Sequence, residues 1–305
     1  MSRNGERARA IWRLALGLTS LLAAPIVDLR VANAFELEPN EYVAAPAGTT
    51  ALLGYLIYGD HGSYSPAGGT TVGRDTSFTD GLGVVRAAHY FNLGQLEALV
   101  EVLQPFGTLS DARIGGVRFR DSSGFGDTTV AAAIWPVNRP SSQTYVGLAM
   151  YLTVPDGAYS RDQAINLGGN RLVYNPELAL HQGFGGHWSI DVSGDVLAYG
   201  DNSSAGPVGS PTFSEHPTIQ LQGFLNYAWT PRLSSSIAYE SLLGGRQFLD
   251  GVAGPGKTES QEIRFIGSYA MTKTTQILGE VNHQFQTVGG FRQDVGITIR
   301  GLLAF

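Results

Sequence analysis

Hydrophobic and polar residues alternate with a period of two over most of this chain. Val146, Leu148, Met150, Leu152 and Val154 alternate with Tyr145, Gly147, Ala149 and Tyr151. Trp188, Ile190, Val192, Val196 and Ala198 alternate with Ser189, Asp191, Ser193 and Asp195. Ile219, Leu221, Leu225, Tyr227 and Trp229 alternate with Thr218, Gln220, Gln222 and Asn226, and Ile277, Val281 and Phe285 with Gln276, Glu280 and Gln284. Period two is the mark of a β-strand, whose successive side chains leave opposite faces. Twelve such runs fall near 49–59, 82–92, 94–104, 127–136, 143–154, 171–181, 187–199, 217–229, 232–242, 259–271, 275–286 and 292–305. Runs of about ten residues are long for a soluble sheet and match the roughly 9–11 residues a tilted strand needs to cross a bilayer.

The connections carry a second, independent pattern. Links after even-numbered runs are short, as at Asn92-Leu93, 137–142, 182–186, Thr230-Pro231 and 272–274. Links after odd-numbered runs are long and rich in Gly, Ser, Pro and Asp: 60–81, 105–126, 155–170, 200–216 and 243–258, with the brief 287–291 as the exception. An up-and-down barrel with tight periplasmic turns and long outer loops produces this parity, and a soluble sandwich has no reason to. Hydrocarbon offers backbone polar groups no partners, so a sheet can span it only when closed on itself. The expected fold is therefore all-β: a membrane-spanning antiparallel up-and-down barrel of about 12 strands over 49–305. Tyr58, Tyr90, Trp135, Tyr145, Trp188, Tyr227 and Trp229, near run ends, are expected to form interfacial girdles.

Both ends of the chain bear on the compartment. Arg3, Arg7, Arg9 and Arg13 precede an apolar run, Leu14 to Val27, and Val31-Ala32-Asn33-Ala34 has the small-x-small form of a cleavage site. Residues 1–34 therefore read as a removed signal peptide, with Phe35 first in the mature chain. Residues 35–48 read as a periplasmic arm or a plug folded into the lumen; the sequence leaves both open. Val295, Ile297, Ile299, Leu303 and Phe305 share one face of the last run, the form of a signal to the barrel-insertion machinery. The expected location is the outer membrane of a Gram-negative-type bacterium.

Composition narrows the chemistry. Charged residues make up 15% of the 305, below the roughly 25% of soluble domains. The absence of Cys removes thiolate chemistry and disulfides. Removing five Arg and two acids with the signal from totals of 20 and 26 leaves 15 basic and 24 acidic residues, a net of about −9. Such a chain is a poor binder of nucleic acid. The expected partners are outer-membrane lipid and a small-molecule solute; oligomeric state is not legible.

If the apolar face looks outward, Glu97, Glu101, Glu177, Asp191, Asp195, Glu240, Glu262, Glu280 and Asp294 face the lumen with Arg86, Arg264 and Arg300. Nine acids against three bases make an acidic lumen, and burial requires some of them to pair. Arg264 and Arg300 are expected to be bracketed by acids. Such pairs either hold the barrel closed or set a preference for cations.

Gly124-Phe125-Gly126-Asp127 at the opening of a strand resembles a G-x-G-D motif of a family of outer-membrane proteins associated with the meta-pathway of phenol degradation. Val154-Pro155-Asp156-Gly157-Ala158-Tyr159 is similar to that family's strand-ending segment, with Asp156 where Thr is usual, and Gly168 to Leu180 resembles its next strand. The resemblance implies an outer-membrane transporter or channel, often linked to uptake of aromatic or other hydrophobic compounds. Locally, Gly124 and Gly126 are explained by a bulge or a tight turn needing positive φ.

Other chemistry is sparse. The histidines, His61, His89, His181, His187, His216 and His283, lack metal-ligand spacing, and no P-loop, dinucleotide or H-E-x-x-H motif is present. No cofactor, metal or catalytic residue is expected. The alternatives to a passive porin-like channel are a closed structural or adhesive barrel, and an outer-membrane lipid hydrolase built on His283 with Ser241, Ser268 and nearby acids; His89, also on the apolar face, has the same standing.

Overall fold

A computed structural model describes residues 36–206 and 209–305. The expected signal peptide and Phe35 lie outside the described residues. Twelve long strands form the wall: β1 (Thr50–Ser65), β2 (Ser77–Leu93), β3 (Leu96–Ile114), β6 (Thr128–Arg139), β7 (Thr144–Val154), β8 (Val173–Phe184), β9 (Trp188–Tyr199), β11 (Thr218–Ala228), β12 (Leu233–Leu249), β13 (Val252–Ala270), β14 (Thr275–Val288) and β15 (Gly290–Ala304). Three short strands ride on them: β4 (Val117–Arg118) and β5 (Ser122–Phe125) pair with β3, and β10 (Phe213–Glu215) pairs with β12.

Each long strand pairs antiparallel with the next, and β15 returns to β1. Thr50 and Phe305 exchange two backbone hydrogen bonds of 2.9 Å at that seam. The sheet thus closes into a barrel with no free edge, which is what the bilayer demands. Outward positions are those the alternation predicts: Leu148, Val192, Leu221, Val281 and Ile299 are all exposed. An exposed apolar row in a closed sheet is a lipid-facing surface.

The short turns fall at 94–95, 140–143, 185–187, 229–232 and 271–274, on one end of the barrel. The opposite end departs from the sequence expectation, because strands run on where loops were expected. β3 has 19 residues, which at roughly 3.4 Å per residue and a tilt of about 40° climb roughly 50 Å. That is about twice the roughly 25 Å apolar band of an outer-membrane barrel. Above the band the outer face no longer needs to be apolar, so the alternation fades while the hydrogen-bond ladder continues. The expected 243–258 loop is the tip of the β12–β13 hairpin, turned by Asp250 and Gly251 at φ +49° and +75°. Two successive left-handed residues are the signature of a type I′ turn, and Asp-Gly is a preferred pair for it.

The expected aromatic girdle is only half present. Tyr58, Trp188 and Trp229 are exposed, and Tyr227 lies tilted against Trp188 and edge-on to Trp229 with centroid distances of 4.6 and 4.7 Å. Trp135 and Tyr145 are buried instead, with Tyr90 beside Trp135 at a centroid distance of 5.8 Å. Odd positions of β6 and β7 face inward, and this carries both rings into the lumen. They line a periplasmic-side apolar cluster that includes Leu53, Leu99, Phe224 and Ile266. A second cluster, with Phe78, Leu82, Leu109 and Phe291, fills part of the outer half.

Candidate functional site

Residues 36–48 precede β1, and Glu36 to Tyr42 run inside the barrel while 46–48 are exposed. Leu37 and Tyr42 of this arm are buried in the periplasmic-side cluster. The Leu37 amide donates to Gln222 Oε1 at 3.1 Å, and the Asn40 amide to Asp191 Oδ2 at 3.1 Å. Trp135 Nε1 donates to the Tyr42 carbonyl at 2.9 Å, and the Tyr42 hydroxyl donates to Glu177. Gly147 is the notch that receives the tyrosine, for a Cβ there would lie 2.2 Å from Tyr42 Cδ1.

Three glutamates of the arm meet the three lumen arginines foreseen in the sequence. Arg86 on β2 contacts Glu41 at 2.5 Å and Glu101 of β3 at 2.6 Å. Arg264 on β13 makes two bonds of 2.8 and 2.9 Å to Glu280 of β14 and lies 3.7 Å from Glu36. Arg300 on β15 pairs with Glu38 and also donates to Gln276. Removing one partner of such a buried pair strands the other charge, at a cost of about 3–5 kcal/mol. The arm is therefore fastened by charge as well as by apolar packing.

The remaining sequence candidates divide clearly. Asp191 accepts from His181 Nδ1 and Asn226 Nδ2, both at 2.6 Å, in addition to Asn40. Glu177 and Asp195 are buried opposite one another on β8 and β9, as are Glu240 and Glu262 on β12 and β13. Glu262 is 3% exposed and its Oε1 has no hydrogen-bond partner. Glu97 faces Trp135 across β3 and β6. Asp294 stands apart: the β1–β15 register shifts at Asp60/His61, skipping Asp294, which pairs with half-exposed Arg292 at 3.0 Å and accepts from the Gly62 amide. The buried neighbours on its strand, Phe291 and Gln293, are the ones that look inward.

The carboxylates of Glu36, Glu262 and Glu280 come within 4.8 Å of one another. Burial, reinforced by Glu240, raises the Glu36 carboxyl well above its ordinary value. Above this group lies a cavity of about 110 Å³, walled by Phe78, Leu82, Leu109 and Phe291 on one side and by Glu36 and Glu240 on another.

Sequence reading missed Glu36, Glu38, Glu41 and Tyr42 as partners of the lumen. Their signal was present as three acids within six residues facing an arginine set whose own strands supply few basic neighbours. It missed Asn40, His181, Gln222 and Asn226 because neutral polar residues at lumen positions look alike in a sequence.

The glycine motifs meet one another at the outer rim. Asp127 accepts from the Gly157 amide at 2.8 Å and the Gly169 amide at 2.7 Å. Asp156 returns the contact, accepting from the Thr128 amide and hydroxyl, each at 2.7 Å. Gly124 has φ +136°, but the need for Gly126 is space, since a Cβ there would lie 2.9 Å from Pro105 Cγ. Pro155 follows the last residue of β7, and the motif clips the 155–172 loop onto β6.

The hydrolase arrangement is not assembled. Among the described residues no hydrogen bond joins either serine to His283: Ser241 is buried beside Leu221, Ser268 bonds Ser234 at 2.7 Å, and His283 is exposed and contacts the Asp294 carbonyl. His89 is likewise exposed and bonded to Thr50 at 2.9 Å.

A closed twelve-strand barrel with an apolar belt and a charged lumen defines an outer-membrane barrel of the channel type. Residues 62–296 match the family described as MetA-pathway of phenol degradation, and the chain belongs to that family. The crystal structure of an outer membrane channel from Pseudomonas putida F1 is 27% identical, with a TM-score of 0.84, covering 88% of this chain and all of that one. The KdgM porin is 12% identical at a TM-score of 0.45, covering 83% and 99%. A mutant of the TodX monoaromatic hydrocarbon channel is 10% identical at 0.48, covering 85% and 90%. These last two are too distant to argue from. No curated protein matches the chain. Fold and family place it in the outer membrane.

Proposed function

We propose that this barrel is a passive channel for small compounds, aromatic or otherwise hydrophobic, taken in at the loop-bearing end. The observation that carries the reading is the outer half of the lumen, where aromatic and aliphatic side chains share a cavity with polar ones directly above the arm. A ring-bearing solute can lie on the apolar wall there while its polar group is served from the other. Support comes from the P. putida structure, whose name says outer membrane channel, and from the family's description. The acids below give the path a preference for cations over anions.

Liposome swelling tests this directly. Proteoliposomes should swell in phenol or benzyl alcohol faster than in a disaccharide, and Phe78→Ala with Phe291→Ala should remove the difference. Equal rates for all solutes would defeat the aromatic reading. A second reading, a closed structural barrel, is favoured by the arm's dense packing across the periplasmic half. Planar-bilayer recording separates the two, because a closed barrel gives no discrete current steps.

A further inference from the structure

Below the outer cavity the carboxyl groups of Glu36, Glu262 and Glu280 lie within 4.8 Å of one another, Glu240 stands opposite Glu262, and a single guanidinium, that of Arg264, reaches Glu280 and Glu36. Arg264 is turned toward Glu280, which takes two of its N–H groups, and holds Glu36 only at 3.7 Å. Glu262 is almost fully buried with one oxygen unanswered. The cavity above is lined by Glu36, Asp80, Glu240 and Glu259, and no lysine or arginine is among its lining residues. Ionised carboxylates at so desolvated a floor are costly unless a cation meets them, so a cation entering the cavity favours their charged form.

The opposite wall determines what kind of cation fits. Phe78 and Phe291 stack with centroids 5.1 Å apart, and Leu82 and Leu109 continue their surface. A hydrated metal ion gains nothing from such a wall, whereas the body of an organic cation does. At about 110 Å³ the space is somewhat smaller than the roughly 150 Å³ that accepts a benzene molecule, so its mouth must share a single ring.

We propose that this cavity binds small primary amines of one ring or a short chain, the ammonium seated at Glu36 and Glu240 on the cavity lining and the body against Phe78 and Phe291. This deepens the channel reading by naming a solute class, and rests on it only for how the amine arrives.

Calorimetry on the full chain in detergent tests it with three probes of one shape: benzylamine, benzyl alcohol and benzoate. Benzylamine should bind at least tenfold tighter than benzyl alcohol, and benzoate should not bind. Glu240→Gln should abolish most of that preference, and Glu36→Gln should do the same from the arm side. Circular dichroism and melting establish that each variant is folded. Equal binding of amine and alcohol, an unchanged preference in both folded variants, or displacement of benzylamine by equimolar Ca²⁺ would overturn the proposal. Swelling assays separate it from the channel reading. Amine binding without solute entry would sink the channel and leave the site, while entry without amine preference would do the reverse.

Discussion

Tyr42 and Gly147 show how little separates a seated arm from a displaced one. A methyl group at position 147 would occupy the space of the tyrosine ring. Gly147→Ala should therefore cost about 1–3 kcal/mol through overpacking, or push Tyr42 out of its notch. Either result is visible: thermal melting reports the first, and faster cleavage of the arm by added protease reports the second. Arg86 sits between Glu41 and Glu101, so Arg86→Ala strands one buried and one partly buried acid. It should destabilise by about 3–5 kcal/mol, while a combined Arg86→Met, Glu41→Gln and Glu101→Gln change should recover most of that loss. Chemical unfolding of the wild type and these two variants checks the sign.

At the scale of elements, the rim clasp between β6 and the 155–172 loop is held by two carboxylates, Asp127 and Asp156, and the second makes it sensitive to pH. The Thr128 amide holds the Asp156 carboxyl below its usual value. A carboxyl whose folded value is depressed contributes its full stabilisation above the unfolded value of roughly 3.9, and loses it as pH falls through the folded value. The Thr128 amide should thus exchange slowly at pH 6 and become markedly less protected near pH 3, and Asp156→Asn should flatten that dependence. Most of the wall was legible in the sequence, because alternation such as Val146 to Val154 is imposed by lipid on one side. What lay above the lipid was not. β3 past Pro105 and the 243–258 hairpin have no lipid to set their outer faces, although Asp250-Gly251 was a readable turn. Among lumen residues, charged positions such as Glu177 and Arg264 stood out. The direction of Trp135 did not, because a buried lumen ring and an interfacial ring occur in the same sequence context.

For the whole molecule, two surfaces are predicted from one chain that contains no cysteine. Single cysteines carrying a polarity-sensitive probe should report hydrocarbon at Leu148, Val192 and Leu221. The same probe at Gln220 or Ser193, one position away on the strand, should report a polar interior. Fluorescence of the reconstituted protein decides it, and aqueous signals at the first three would remove the barrel's membrane face. Sequence placed the acids in the lumen but left undecided whether residues 35–48 stay in the periplasm. No periodicity marks an arm that contacts its surroundings through individual side chains rather than a repeating ladder.

The arm contributes Glu36, Glu38 and Glu41 and no basic residue between Glu36 and Gly48. Were it to swing out, the passage would widen and shed three carboxyl groups in the same motion, and Arg300 would lose its partner Glu38. Width and discrimination would then be tied to a single segment: the narrower form would repel anions more strongly, and the wider form would conduct more while choosing less.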